Sequence, residues 1–242
     1  MTSISETIYR HTRIVRIAHW INALCFLMLL MSGLQIFNAH PMLYWGQYGA
    51  DYDTPWLSID GGLPFQFTLP GYRDLGAGRN WHFFFAWGLV INGIVYLAFN
   101  LINRHLQRDI IPKKEELQPA HLWEEVVHHA QFKRITGPKA KNYNTLQKIS
   151  YAVVIFVLFP LIVLTGLTMS PGFNAIAPFL VDIFGGRQSA RSIHFIAANL
   201  LVAFLVIHLV EVVVAGAWNE IRSMITGKFV VPQPKTVAED TQ

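Results

Sequence analysis

The chain has 242 residues, of which 52% are hydrophobic and only 14% are charged, whereas an average soluble domain has about 25% charged residues. This composition indicates a membrane protein rather than a water-soluble enzyme. The single cysteine, Cys25, excludes an internal disulfide, a Cys-His zinc cluster and a CxxCH site for covalent haem. The formal net charge of +4 does not by itself indicate nucleic acid, because the basic residues follow the pattern of a membrane topology.

Four apolar runs are long enough to cross about 30 Å of hydrocarbon as helices of roughly 20 residues each. They lie at about 17–37, 81–102, 149–169 and 193–215. We therefore expect an all-α membrane protein, a four-transmembrane-helix bundle over 17–225 with tails at 1–16 and 226–242. The first run follows three arginines, as a signal peptide would, but it exceeds a signal core of roughly 7–15 residues and lacks a small-x-small cleavage site. We predict that it is a retained helix.

The distribution of basic residues predicts the topology. Fifteen of the nineteen lysines and arginines lie in the N-terminal tail, the 103–148 connection and the segment after the fourth apolar run, against four in the 38–80 and 170–192 connections. By the positive-inside tendency, both termini and the 103–148 connection are expected in the cytoplasm. The outer loop 38–80 is rich in aromatic residues, which suits either an interfacial belt or docking of a partner protein. Helical spacing around 119–132 predicts a surface helix in the inner loop 103–148.

Four histidines lie in or at the ends of the apolar runs. His194 and His208 are fourteen residues apart, which is nearly four helical turns, so they share one face about 21 Å apart. In the predicted topology His82 and His194 lie near the outer surface, whereas His19 and His208 lie near the inner surface. Depth therefore pairs His82 with His194 and His19 with His208.

Two histidine pairs across a helical bundle are what two six-coordinate haems need, because neutral imidazole is the usual nitrogen ligand of haem iron. With both axial positions filled, such haems only carry electrons. A single membrane histidine is often just a hydrogen-bonded core residue, but four at matched depths favour two b-type haems bound non-covalently.

Other residues are weaker candidates for haem contacts. Gly33 lies fourteen residues after His19, at the height of the outer pair, where a missing side chain would let a macrocycle approach; glycine in membrane helices more often serves helix packing. Haem propionates need cations near each surface. Arg79 and Arg191 are candidates outside and Arg16 and Arg222 inside, although each could equally be an anchor at the interface.

Three segments resemble one known family. The first helix of the bacterial cytochrome b561 and nickel-hydrogenase cytochrome b family resembles the segment RIVRIAHWINALCFLMLLMSGLQIF. The shared features are an Arg-x-x-His-Trp opening and a Ser-Gly pair near the far end. LTGLTMSPG resembles the end of the family's third helix, and RSIHFIAANLLVAFLVIHLVEV resembles its fourth helix with the same histidine spacing. The resemblance covers about residues 10 to 225.

The resemblance implies a multi-pass subunit of the bacterial inner membrane that passes electrons between quinone and a periplasmic oxidoreductase of a molybdopterin or hydrogenase type. By similarity to the formate dehydrogenase gamma subunit, His82 and His194 would hold the outer haem and His19 and His208 the inner one. The segment KNYNTLQKISY resembles that subunit's quinone motif. Asn144 would then bond a quinone oxygen, with Tyr143, Gln147 and Lys148 nearby.

Alternatives remain open at this point. Asn144 precedes Thr145 as a helix N-cap would. The whole chain could be a stand-alone quinol oxidase of small soluble acceptors, similar to compact cytochromes b561, or a haem-free membrane scaffold. The residues do not determine the direction of electron flow.

Overall fold

Four long apolar helices form the framework of the protein. The structure, a computed structural model, describes residues 6–49, 53–71, 74–103, 110–131, 137 and 143–232, with the backbone alone at 128–130. Helix α1 is Arg13–Phe37 and α2 is Leu75–Ile102. The third long helix is Thr145–Met169, which consists of α4 (Thr145–Val153), a π-helical turn (Val154–Leu158) and α5 (Phe159–Met169). The fourth long helix is α8 (Arg187–Thr226). Each is long and apolar enough to cross a membrane, so the prediction of a helical membrane protein is confirmed.

The helices extend beyond the predicted apolar runs. They begin at residues 13, 75, 145 and 187 instead of about 17, 81, 149 and 193, and α8 continues to Thr226 instead of ending near 215. An apolar run marks the part of a helix suited to hydrocarbon, whereas polar turns at its ends remain good helix formers. Helix α8 breaks at Gly216, whose φ of 109° lies in the left-handed region, where glycine is favoured.

A proline explains the irregular turn in the third long helix. Pro160 stands in the first turn of α5, where its ring would clash with the carbonyl four residues earlier and where it donates no hydrogen bond. The preceding residues, Val154–Leu158, widen into a π-helical turn. Such turns accommodate an interrupted hydrogen-bond ladder without ending the helix.

The helices carry their apolar side chains outward and bury small polar ones. Large exposed residues include Leu27, Phe84, Ile91, Ile94, Ile207 and Val213. No more than 1% of the surface is exposed in small polar residues such as Ser32, Asn100, Thr165, Thr168 and Ser192. Small and polar residues at helix contacts with apolar residues outside are typical of membrane helices, whose lipid-facing surface needs no polar groups.

The chain divides into two compact units, and each long helix contributes residues to both. We call Met1–Ile17, Tyr96–Val153 and Phe204–Gln242 the first unit, and Ala18–Val95 and Val154–Ala203 the second unit. In the second unit, Asn92 of α2 donates hydrogen bonds from Nδ2 to the Ala18 carbonyl (2.8 Å) and to Asn22 Oδ1 (2.7 Å). These bonds join α1 and α2 through the side-chain amide of Asn92.

The second unit also contains a short hairpin, β2 (Met42–Leu43) with β3 (Leu57–Ser58), and the short helices α6 (Pro171–Ile176) and α7 (Phe179–Ile183). The hairpin is fastened to the start of α8. Ser192 Oγ donates to the Tyr44 carbonyl (2.6 Å) and accepts from Trp56 Nε1 (2.9 Å). Ser192 lies two residues before His194, so the hairpin is tied to the helix turn that carries this histidine.

The first unit holds the two terminal segments together. Strand β1 (Thr7–Tyr9) pairs antiparallel with β4 (Lys228–Val230), a contact that the sequence reasoning, which treated both segments as tails, missed. Gly227 turns the chain into β4 with a φ of 84°, and a Cβ atom there would lie 2.4 Å from the Tyr9 ring. Helix α3, in the connection between α2 and α4, is Pro119–Ala130.

Candidate functional site

His82 of α2 and His194 of α8 face each other within the second unit. Their ring centroids are 6.2 Å apart and the ring planes are inclined by 60°. The structure thus brings together the two histidines that sequence depth pairs near one membrane surface. Their role as haem ligands stays a prediction, which the local geometry supports.

The spacing of the two rings suits a metal ion held between them. A metal–imidazole bond is about 2.0–2.1 Å long, and the nitrogen lies roughly 1 Å from the ring centre, so ring centres on opposite sides of one ion are about 6 Å apart. The observed 6.2 Å agrees with that value. Among the described residues no group of three or more His, Cys, Asp or Glu gathers at metal-binding spacing. A two-imidazole site therefore fits an iron whose other ligands come from a porphyrin.

Each of these rings is held by a hydroxyl group on a neighbouring helix. Ser32 Oγ of α1 lies 3.1 Å from His82 Nδ1, and Thr165 Oγ1 of α5 lies 3.0 Å from His194 Nδ1. Both hydroxyl residues are fully buried. Sequence reasoning missed them, although both belong to segments, LMSGLQIF and LTGLTMSPG, that carry the family resemblance.

A glycine follows each hydroxyl residue and lies against the same ring. A Cβ atom at Gly33 would be 3.3 Å from His82 Cε1, and one at Gly166 would be 3.4 Å from His194 Cε1. The glycines therefore make room for the imidazoles themselves. Contact of Gly33 with a macrocycle, as the sequence suggests, stays a prediction.

The two arginines predicted near this site have different surroundings. Arg191 donates from Nη2 to the His40 carbonyl and is partly buried. Arg79 is exposed, with its guanidinium 5.8 Å from the Phe83 ring centre. In the same unit Gln35 is 3% exposed, and its buried Nε2 has no hydrogen-bond partner among the described residues. Gln35 is thus a further donor available to an anionic group.

The other two predicted haem ligands fall in different units. His19 belongs to the second unit, where its ring makes an edge contact with Trp20 (centroids 5.4 Å apart). His208 belongs to the first unit, where it stacks on Phe204 at 5.9 Å. Their pairing stays a prediction.

Arg16, predicted to meet a haem propionate, lies in the first unit. It donates from Nη1 to the Ile225 carbonyl. Arg222 donates from Nη2 to Asn219 Oδ1 (3.2 Å). In both arginines the Nε atom is buried and has no hydrogen-bond partner among the described residues. A buried donor without a partner is costly, so these guanidinium groups suit an anionic ligand.

The candidate quinone residues lie at the start of α4 and already make specific contacts. Asn144 Oδ1 accepts from the Gln147 backbone N–H (2.8 Å), and Gln147 Oε1 accepts from the Asn144 N–H (3.3 Å). This reciprocal pair is a capping box. The N-cap role that the sequence left open for Asn144 is therefore present in the structure, and its contact with quinone stays a prediction.

Lys148 and Tyr143, the other two quinone candidates, are likewise engaged. Lys148 Nζ lies 2.7 Å from Glu116 Oε1 and 3.0 Å from Oε2, so one carboxylate accepts from it through both oxygens. Burial raises the pKa of Glu116. The hydrogen bond from Lys148, a hydrogen bond from the Lys113 backbone and the positive charges of both lysines lower it by more, so the pKa lies below its ordinary value. Tyr143 makes an edge contact with Tyr151, and the Arg10 guanidinium carbon lies 5.5 Å from the centre of the Tyr143 ring.

Comparison with known proteins identifies the family. The family model for prokaryotic cytochrome b561 matches residues 10–227. The chain is similar to a protein of Azospira oryzae whose name is protein-methionine-sulfoxide reductase subunit YedZ1, with 30% identity over 210 residues that cover 86% of this chain and 93% of the relative. No solved structure matches the chain significantly. The chain therefore belongs to the prokaryotic cytochrome b561 family, a family of multi-pass membrane proteins that carry b-type haem.

Proposed function

We propose that this chain is a di-haem membrane subunit that transfers electrons between quinone and a redox partner outside the cytoplasmic membrane. The observation that carries the proposal is the pair His82 and His194, whose ring centres are 6.2 Å apart. Both rings bind a neighbouring hydroxyl through Nδ1, which leaves Nε2 of each ring for a ligand. A bis-imidazole haem supplies one-electron transfer and leaves no open iron position for a substrate.

A second haem is proposed on His19 and His208, from their matched depth in the sequence. Arg16 and Arg222 support this assignment, since each buries an Nε donor that has no partner among the described residues. The propionates of a haem are anions that such donors would bind. Arg79 and Arg191 are proposed to serve the propionates of the haem on His82 and His194.

The quinone site is proposed at the start of α4, around Tyr143, Asn144, Gln147 and Lys148. Apolar side chains with a few convergent polar groups are typical of sites for small organic ligands. The first unit provides both kinds here, with the ring contact of Tyr143 and Tyr151 at 5.5 Å and the charged pair of Lys148 and Glu116 at 2.7 Å.

The proposed partner is a molybdopterin oxidoreductase on the periplasmic face, with both termini of this chain in the cytoplasm. The name of the Azospira relative supports a sulfoxide reductase as partner. With a reductase as partner, electrons run from quinol through the haems to the partner, which is opposite to the direction in a dehydrogenase complex. Oxidised methionine in proteins is then the final acceptor.

The test uses the purified chain in lipid nanodiscs. A short-chain quinol is expected to reduce the haems of the wild type, and the reduced haems are expected to stay reduced when superoxide is supplied. A haem-loaded wild type that no quinol reduces would overturn the proposal. Rapid reoxidation by superoxide without any partner would instead support the stand-alone quinol oxidase.

A further inference from the structure

The same two-residue arrangement supports both histidines of the candidate site. Ser32 and Gly33 on α1 face His82, while Thr165 and Gly166 on α5 face His194. In each case a hydroxyl meets the ring nitrogen Nδ1 and a glycine leaves space for the ring edge. The repetition on two separate helix pairs points to a requirement of the rings, since both hydroxyls meet the same ring atom.

The direction of these hydrogen bonds follows from the number of hydroxyl protons. Ser32 Oγ lies 2.6 Å from the Met28 carbonyl, and Thr165 Oγ1 lies 2.7 Å from the Leu161 carbonyl. Each hydroxyl has one proton and a carbonyl can only accept, so that proton is used within its own helix. The hydroxyl oxygen must therefore accept from the ring, and the ring proton resides on Nδ1.

A second backbone carbonyl also lies near each hydroxyl. Ser32 Oγ is 3.3 Å from the Leu29 carbonyl oxygen, and Thr165 Oγ1 is 3.2 Å from the Ile162 carbonyl oxygen, so the hydroxyl proton has acceptors only within its own helix on this side. Each belongs to the helical turn that precedes the hydroxyl residue. A neutral imidazole with its proton on Nδ1 carries its lone pair on Nε2.

We propose that Ser32 and Thr165 are positioning residues that fix His82 and His194 as Nδ1–H tautomers and so present Nε2 to haem iron. This inference rests on the proposed haem role of the two histidines. A hydrogen bond from the far nitrogen of a ligating histidine fixes the ring orientation and makes the ligand more basic. A more basic ligand stabilises ferric iron, so the hydroxyls lower the reduction potential of this haem.

The same helix provides a matched control. Thr168 is 1% exposed, and Thr168 Oγ1 donates to the Leu164 carbonyl at 2.8 Å, as Thr165 Oγ1 does to Leu161. Among the described residues no histidine contacts the Thr168 hydroxyl. Replacing Thr168 by Val therefore removes an equally buried hydroxyl from the same helix without affecting a ring.

The experiment compares Thr165→Val, Ser32→Ala, Thr165→Ser and Thr168→Val in the full-length protein. Haem content, the midpoint potentials and the low-spin ferric EPR signals are measured. We expect Thr165→Val and Ser32→Ala to keep haem while one of the midpoint potentials moves to a more positive value and its EPR signal shifts. Thr165→Ser should restore the wild-type values and Thr168→Val should not change them.

Unchanged potentials and EPR signals in haem-loaded Thr165→Val and Ser32→Ala would overturn the inference, and so would an equal shift in Thr168→Val. If Thr165→Val fails to fold, Ser32→Ala and Thr165→Ser decide the question on the same readouts. A wild-type chain without haem would overturn the proposed function itself, which is a distinguishable result.

Discussion

Arg10 and Glu220, which are 210 positions apart in the sequence, form an ion pair with Nη1 and Oε2 at 3.3 Å. The side chains are only 14% and 20% exposed. The Arg10 guanidinium also lies 4.5 Å from the Phe229 ring centre. This pair joins the first unit's N-terminal segment to the part of α8 that follows Gly216, and together with strands β1 and β4 it fastens both terminal segments.

Breaking this pair should lower stability. Because the charges are largely shielded from water, we expect Glu220→Gln to cost about 1.5–3 kcal/mol, the range for hydrogen bonds to charged groups. Thermal unfolding of Arg10→Met, Glu220→Gln and the double variant in detergent gives the coupling energy. Additive losses in the double variant would show that the pair contributes nothing beyond its separate residues.

The glycines beside the histidine rings should not tolerate larger residues. A Cβ at Gly33 or Gly166 would already lie 3.3–3.4 Å from Cε1 of His82 or His194. The branched side chain of Gly33→Val or Gly166→Val should displace a ring and remove one haem of the proposed two. Gly93→Val on α2 is the control, because a Cβ there has no neighbour within 4 Å. Full haem content in both valine variants would contradict the close fit.

The Glu116–Lys148 pair should make stability depend on pH. The pKa of Glu116 in the folded chain lies below its ordinary value of 4.5. At pH values near and below 4.5, Glu116 is therefore more often protonated in the unfolded chain than in the folded chain. The contribution is therefore fully present above about pH 4.5 and is lost as the pH falls through the folded pKa. Glu116→Gln should flatten the acid side of the thermal-stability profile, whereas Glu124→Gln, an exposed glutamate of α3, should not. Equal profiles in all three proteins would be inconsistent with this linkage.

Two roles of Asn144 can be separated by substitution. If the capping box of Asn144 and Gln147 is its function, Asn144→Ser should retain stability, whereas Asn144→Ala should lose about 1 kcal/mol. If Asn144 also binds quinone through its amide, Asn144→Ser should keep stability but lose quinol-dependent haem reduction. Thermal unfolding and quinol reduction rates measured together therefore test the proposed quinone site apart from helix capping.

The long helices and the His82–His194 pair could be predicted because they depend on simple periodic properties. Apolar length identifies a membrane helix, and charge together with helical rise assigns each histidine a depth. His82 and His194 are indeed neighbours, with ring centres 6.2 Å apart. Composition, residue spacing and the family resemblance are sufficient to predict that these two histidines are neighbours.

The supporting residues could not be predicted, because they depend on how the helices are rotated and offset. Ser32 and Thr165 are short polar residues of the kind that usually back-bond within a membrane helix, and nothing in their spacing places them at a ring nitrogen. The contact between β1 and β4 joins segments more than 200 residues apart through three residues each. Such short strands give no periodic signal.

The central claim is that His82 and His194 hold one haem and His19 and His208 another. The most direct test is the pyridine haemochrome count per chain, with difference spectra, for the wild type and each histidine-to-alanine variant. The control is His121→Gln, which changes a histidine of α3 outside the four long helices. We predict two b-type haems in the wild type and the control, loss of the same haem in His82→Ala and His194→Ala, and loss of the other in His19→Ala and His208→Ala. Two normal low-spin haems in His194→Ala would contradict the account.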